Sequence, residues 1–431
     1  MVALAPFRAL RYNPALVGDL SAVLAPPYDV ISPRQQDQLH QRSPYNVVRL
    51  ILGKDAPADS PSDNRYTRAK QTFEEWRASG VLLRDDAPAV YLCEHTFRWQ
   101  AQPCRRLGLF ARLEFEGSVP DGVLAHEQTF EAPKQDRAQL TEAVQAQLSP
   151  IFCVAPDPER RTALFVERLM RAQPPAAAAR LPARPESHGT GGDDEEVRLW
   201  VASDPEVIRA LQQQTAPHRV LIADGHHRFA VALSKRHLCG GVLTYLSWAN
   251  DPGLLVHPIH RVVRIPWGAR ERWRSQLRTL CTLTPASSLE PLMRWLASSA
   301  EQGRFGYYES GRWYQTQVQE SVLMPWLMRP SVPLALAGLD VSLLHQLLLP
   351  ALLRDGTPAS IRYTPQPAEA RSLVEQGDGD CLFLVRPIAL EQVLALAAQG
   401  FALPPKTTYF YPKVPSGIVI NPFDAVAAPV R

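Results

Sequence analysis

The densest chemistry in this sequence lies in Leu221-Ile222-Ala223-Asp224-Gly225-His226-His227-Arg228-Phe229. A short apolar run meets a glycine and is followed by a segment of helical character. That pattern predicts a strand that turns tightly at Gly225 and feeds a helix. The first amides of a helix have no intrahelical acceptor, and the helix dipole favours an anion there, so this junction suits a phosphate. His226, His227 and Arg228 add donors for a polyphosphate. Asp224 has the chemistry to hold Mg²⁺ or to orient a histidine. In the bland alternative Asp224 caps the helix and the histidines only pack.

A second group is Ala125-His126-Glu127-Gln128-Thr129-Phe130, continuing through Lys134, Asp136 and Arg137. A glutamate near a phosphate site is a reasonable general base for an alcohol nucleophile, and Lys134 and Arg137 suit phosphate oxygens. The alternative is a solvated loop and the first turn of a helix. Phe130 stands where the zinc motif H-E-x-x-H needs its second histidine. Two further groups are His257-Pro258-Ile259-His260-Arg261 and the aromatic stretch from Pro405 and Lys406 to Lys413. His260 and Arg261 point either to the same site or into a satisfied core. Lys406 either contacts an anion from a covering segment or belongs to plain aromatic packing.

Familiar alternatives are missing. Gly53-Lys54 is followed by Asp55, which is not a P-loop, and neither G-x-G-x-x-G nor G-x-S-x-G occurs. A P-loop kinase, a Rossmann dehydrogenase and an α/β-hydrolase are disfavoured.

The elements that must position these groups follow from periodicity. A strand is expected over Asn46–Leu52, a helix over Asp63–Ala78 stopped by Gly80, a strand pair over Ala89–Phe97 and Arg105–Phe115, and a helix over Lys134–Ala146. Strands are expected at Ser149–Val154, Arg219–Ala223 and Gly241–Trp248, and Val341–Leu353 reads as a core helix. Residues 173–196, rich in proline, alanine, glycine and acids, read as a flexible loop. The fold class is therefore α/β or α+β with a mixed sheet. Three regions are expected: an N-terminal α/β segment over 1–88, a core over 89–265 and a C-terminal α/β region over 266–431.

The chain has 431 residues, a net charge of +3 and 40 prolines. So small a charge without a Lys/Arg run argues against nucleic acid and against a membrane surface. The six cysteines form no C-x-x-C pair, which excludes a zinc ribbon and a thioredoxin motif. No apolar signal segment or stretch of membrane-spanning length is visible, so a cytoplasmic protein with reduced thiols is expected.

Taken in order, Pro26-Pro27-Tyr28-Asp29-Val30-Ile31, Pro44-Tyr45-Asn46 with Arg49, His126-Glu127, Pro133-Lys134, Asp136-Arg137, Ser149-Pro150-Ile151, Asp224–Arg228 and Lys406 through Lys413 resemble the widespread prokaryotic domain-of-unknown-function family ten-fifteen. The Asp-Gly-His-His-Arg turn resembles the nucleotide-binding motif of the ParB/sulfiredoxin superfamily, which includes free-serine kinases. The resemblance implies a ParB/sulfiredoxin-like phosphate-binding core with N- and C-terminal elaborations. It also implies a phosphotransferase that makes O-phosphoserine from L-serine, with ATP, ADP or pyrophosphate as donor and Mg²⁺ as cofactor. Glu127 becomes the candidate base beside His126. Asp224 becomes the metal residue, and Gly225, His226, His227 and Arg228, with Lys134 and Arg137, the phosphate and nucleotide site. Tyr28, Asp29, His260, Arg261 and Lys406 become substrate contacts. Ala125, Phe229-Ala230 and Ile259 depart from the family pattern, and Ala230 removes a glutamate expected to touch substrate. The rival readings are a ParB-like nucleotide-binding regulatory module without kinase activity and a metal-dependent hydrolase on Asp224, His226, His227 and His260.

Overall fold

The computed structural model describes residues 2–100, 102–115, 122–127, 129–181, 195–353 and 360–423. The chain divides into two units. The first comprises residues 1–125, 129–255 and 412–431, and the second residues 126–128 and 256–411.

The first unit is built on a nine-stranded mixed sheet. Its strands are β1 (Leu4–Ala5), β2 (Val90–Trp99), β3 (Gln102–Glu114), β4 (Val123–Leu124), β5 (Ile151–Ala155), β6 (Ala177–Leu181), β7 (Glu195–Ala202), β8 (Val220–Asp224) and β9 (Gly241–Trp248). Their order is β4-β8-β5-β9-β3-β2-β7-β6, with β1 beside β3. The β2–β3 hairpin is antiparallel with Leu92 opposite Leu109, whereas β9 runs parallel to β5. The central strands carry long apolar runs because both faces are covered. On one face Leu109, Cys153, Ile222 and Leu246 share a core with Val166, Ile208 and Phe229 from three helices. A second core gathers Leu10, Val47, Phe73, Trp76, Leu140 and Ile420.

Two sequence expectations change here. Asn46–Leu52 contains no strand: Val48–Ile51 is a short helix, α1. The fully buried Asn46 decides it, because its side chain accepts the Val48 amide and donates to the carbonyls of Ala22 and Leu24. Those bonds reach more than twenty residues back and override the β-branched composition. In the segment read as loop, Ala177–Leu181 is strand β6, paired with β7 from Leu181 opposite Glu195. Residues 182–194 of that reading lie outside the described residues, and its last two, Glu195 and Glu196, open β7. The helix expected near Asp63–Ala78 is α2 (Arg65–Ala78), capped by Asn64, and the one expected at Lys134–Ala146 is α3 (Glu131–Val144).

The second unit has a six-stranded antiparallel sheet. Its strands are β10 (His260–Arg264), β11 (Cys281–Ala286), β12 (Arg304–Glu309), β13 (Arg312–Val318), β14 (Ser360–Thr364) and β15 (Cys381–Leu384), in the order β11-β13-β12-β15-β10-β14. Val263, Trp273, Phe305, Leu344, Leu348 and Phe383 make its main core. Val341–Leu353 is mostly helical as expected, although Leu344–Leu348 is wound as a π-helix. No helix among the described residues is long and apolar enough to cross a membrane.

Candidate functional site

In the first unit, β8 delivers Asp224 beside the start of α4 (His226–Ser234). The register of β8 against β5 slips between Ile222 and Asp224, a bulge of the kind that re-aims a strand end. Gly225 then takes φ +93°, a left-handed conformation that a side chain resists. The first intrahelical bond runs from the Phe229 amide to the Gly225 carbonyl, so the three preceding amides open the helix.

The N-cap position is Gly225, and Asp224 before it is held by two cations. Its Oδ2 pairs with Arg228 Nη2 at 2.5 Å, and its Oδ1 pairs with Lys413 Nζ. Arg228 also donates to the carbonyl of Pro150. Lys413 is 5% exposed and comes from the final stretch of chain. Upstream of it, the fully buried Arg106 donates to the carbonyl of Pro412 and lies over the Phe152 and Tyr245 rings. Burial, with Lys413, Arg228 and His227 acting the same way and Asp224 opposing, pulls His226 down to about 4, so it is neutral at pH 7. His227 accepts the Phe130 amide at Nε2 over 2.9 Å and stacks on the Phe130 ring.

Arg228 lines a cavity of about 50 Å³ whose polar wall also includes Tyr28, Arg137, Gln147 and Ser149, whereas Gly225, His226 and His227 are not on that wall. Motifs scattered over two hundred residues therefore share one wall. Arg137 lies 3.9 Å above the Tyr28 ring, donates to the Ile51 carbonyl and is clamped by Asp136. Burial and the adjacent Asp29 raise Tyr28 above the ordinary phenol range, with Arg137 and Arg228 acting against them. Lys134 is not on this wall and instead pairs with Glu131 at 2.7 Å. Asp29 lies in the same short 3₁₀ turn as Tyr28.

Asp224 is the residue expected to hold Mg²⁺. Both carboxylate oxygens are engaged by cations. Among the described residues no group of three or more His, Cys, Asp or Glu is placed to hold a metal. The arrangement offers cations and helix amides, which are anion chemistry.

The second unit holds the other group. His126 is fully buried, with Nε2 2.9 Å from Thr408 Oγ1 and its carbonyl accepting the Leu403 amide. Glu127 Oε1 accepts the Thr407 amide at 3.3 Å. Arg261, also fully buried, donates to His345 Nε2 at 2.8 Å and to the Lys406 carbonyl at 3.0 Å. Burial lowers it to about 10, against the pull of Tyr363 and Glu127. Lys406 adopts φ +57°, rare for a residue with a Cβ. His260 Nδ1 accepts the Val385 amide at 3.3 Å, which makes it part of the sheet packing. The unit thus brings Glu127, Arg261 and the Lys406–Thr407 peptide together.

Lys413 and Arg106 were not singled out from sequence. Lys413 stood inside the aromatic stretch, but nothing local distinguished it from Lys406. Arg106 sat in an alternating strand, where its burial had no signature.

A family model described as "Protein of unknown function (DUF1015)" matches residues 4–342. The chain belongs to this family. No curated protein matches the sequence. Among solved structures the DUF1015 chain is similar to a free serine kinase in complex with AMP, at 13% identity and a TM-score of 0.35, covering 70% of this chain and 86% of that one. A conserved hypothetical protein from Pyrococcus furiosus matches at 13% identity and a TM-score of 0.35, covering 73% and 95%. C-terminally truncated SbnI from Staphylococcus aureus matches at 11% and 0.34, covering 69% and 84%. Identities and scores this low transfer no residue roles to the DUF1015 chain.

Proposed function

We propose that this DUF1015 protein is a nucleotide-binding phosphotransferase, most concretely a free L-serine kinase that makes O-phosphoserine from ATP, ADP or pyrophosphate. The observation that carries the reading is the start of α4. There Arg228, three residues past the Gly225 turn, lines a cavity that Arg137 and Tyr28 also line. Preorganised donors of this kind hold phosphate oxygens and meet the charge that develops on a transferring phosphoryl group. Arg228 is oriented by Asp224 and Pro150, so its guanidinium needs little ordering when a donor binds.

The serine hydroxyl oxygen attacks the terminal phosphorus. The bond from phosphorus to the bridging oxygen breaks, and its electron pair leaves on the donor. Glu127 is the proposed base that takes the hydroxyl proton. His226, neutral at pH 7, contributes at most a single hydrogen bond and no charge.

The test is to incubate the purified protein with Mg²⁺, L-serine and each donor in turn and to look for O-phosphoserine by mass spectrometry, with ADP binding followed by calorimetry. Product with one donor establishes reaction and donor together. ADP binding with no product from any donor would replace the kinase reading with the regulatory-module reading.

A further inference from the structure

The second unit contains a cavity of about 320 Å³, at the small end of the ~300–1,000 Å³ range of ligand pockets. No residue of the anion site lies on its wall. Gln302, Asp340, Arg386, Ile388, Gln392 and Thr407 are among the residues lining it.

Two opposite charges sit side by side on this wall. Arg386 Nε donates to Asp340 Oδ2 at 2.6 Å. Its Nη1 donates to the Ser299 carbonyl at 2.5 Å and its Nη2 to the Glu301 carbonyl at 2.7 Å. A guanidinium has five N–H groups, so these three bonds leave one on each terminal nitrogen. An unused N–H of a held guanidinium can donate to a carboxylate oxygen. Asp340 Oδ1 accepts the Gly303 amide at 2.9 Å, and the carboxylate keeps lone pairs beyond its two bonds. It can therefore also take an ammonium. Both side chains are fixed by partners on several elements, and Asp340 is only 8% exposed. The pair presents a dipole whose net charge is zero.

The complement of that dipole is a zwitterion. An α-amino acid would place its carboxylate on Arg386 and its ammonium on Asp340 and keep the site neutral, while a singly charged ligand would leave it with a net charge. The Gln302 and Gln392 amides line the same cavity, and Ile388 adds an apolar surface. Thr407 closes another part of the wall, and its backbone amide is the one bonded to Glu127. The proposed proton acceptor is thus bonded to a residue that lines this cavity.

We infer that this cavity binds a small free amino acid through Arg386 and Asp340, and that it is the acceptor site for a hydroxy amino acid such as L-serine. The inference rests on the kinase reading for the acceptor role and on the cavity's own walls for the amino-acid class.

Calorimetry with L-serine on the full chain tests it, with ethanolamine, which lacks the carboxylate, and 3-hydroxypropionate, which lacks the ammonium, as comparisons. L-Serine is expected to bind at least about tenfold more tightly than either. Arg386→Met is expected to weaken L-serine at least about tenfold while leaving ADP affinity unchanged. Arg386 also ties down Ser299 and Glu301, so Ile388→Trp, which fills the cavity and touches none of those bonds, is the second variant and should weaken L-serine similarly. Unchanged L-serine affinity in Ile388→Trp, or no L-serine binding to the wild-type protein, overturns the site. Serine binding that depends on Arg386 and Ile388, without phosphoserine from any donor, upholds the site and sinks the kinase reading. Phosphoserine formation with an unaltered KM for serine in both variants does the reverse.

Discussion

The Lys413 ammonium is bonded to the carboxylate of Asp224, 189 residues away in sequence, with both side chains almost shielded from solvent. A salt bridge so placed contributes little net stability, since desolvation offsets attraction. It does fix the strand end that precedes Gly225, and it joins the last stretch of chain to the turn proposed to hold phosphate. Asp224→Ala leaves Lys413 and Arg228 as buried cations without that partner. It should destabilise the protein by about 3–5 kcal/mol in urea unfolding. Lys413→Met added to Asp224→Ala should restore part of that loss, because the stranded charge is gone. Additive losses in the double variant would contradict the coupling.

At Gly225 the expected effect is on both backbone and ligand. An alanine Cβ would have to adopt φ +93° and would stand 3.0 Å from Arg228 Nη2. The conformation alone costs roughly 1–2 kcal/mol. Gly225→Ala should unfold at lower urea concentration and bind ADP about tenfold more weakly, with its circular dichroism unchanged. Wild-type ADP affinity in this variant would remove the turn from the binding site.

Glu127→Gln keeps the side-chain volume and the acceptor for the Thr407 amide but loses the base. Phosphoserine formation should fall by about 10²–10⁴-fold, the usual contribution of a positioned acid or base. ADP binding should be unaltered. Full activity would transfer the base to another group.

Acid should act through His226. Its folded-state pKa of about 4 lies below the ordinary 6.5, so the folded state resists a proton that the unfolded chain accepts. The stability associated with neutral His226 is complete above pH 6.5 and is lost as pH falls toward 4. That loss is on the order of 3 kcal/mol. His226→Gln should flatten the fall between those pH values in urea titrations, and a wild-type slope in the variant would show that the proton goes elsewhere. His345, held down to about 4 by burial and by Arg261, adds a similar loss in the second unit.

Much of this was legible in the chain. The strand–glycine–helix junction at Asp224–Arg228, the β2–β3 hairpin and α2 follow from local periodicity, turn chemistry and capping, which act over a few residues. So did the mixed sheet, because apolar runs between amphipathic helices have few other ways to be buried. Where distant contacts outweighed local preference, the sequence pointed elsewhere. Asn46 turned a β-branched run into a helix with bonds to Ala22 and Leu24, and strand β6 formed from an alanine-rich stretch because β7 offered its free edge.

Which residues carry the chemistry follows from residue type and immediate spacing, which decide what a side chain can donate, accept or ionise. Their partners were set by the fold. It paired Asp224 with two cations, put Tyr28, Arg137 and Arg228 on one cavity wall, and set Arg386 against Asp340. Those pairings depend on where burial removes water and on which strands and helices return to the same place. No short window of sequence encodes either.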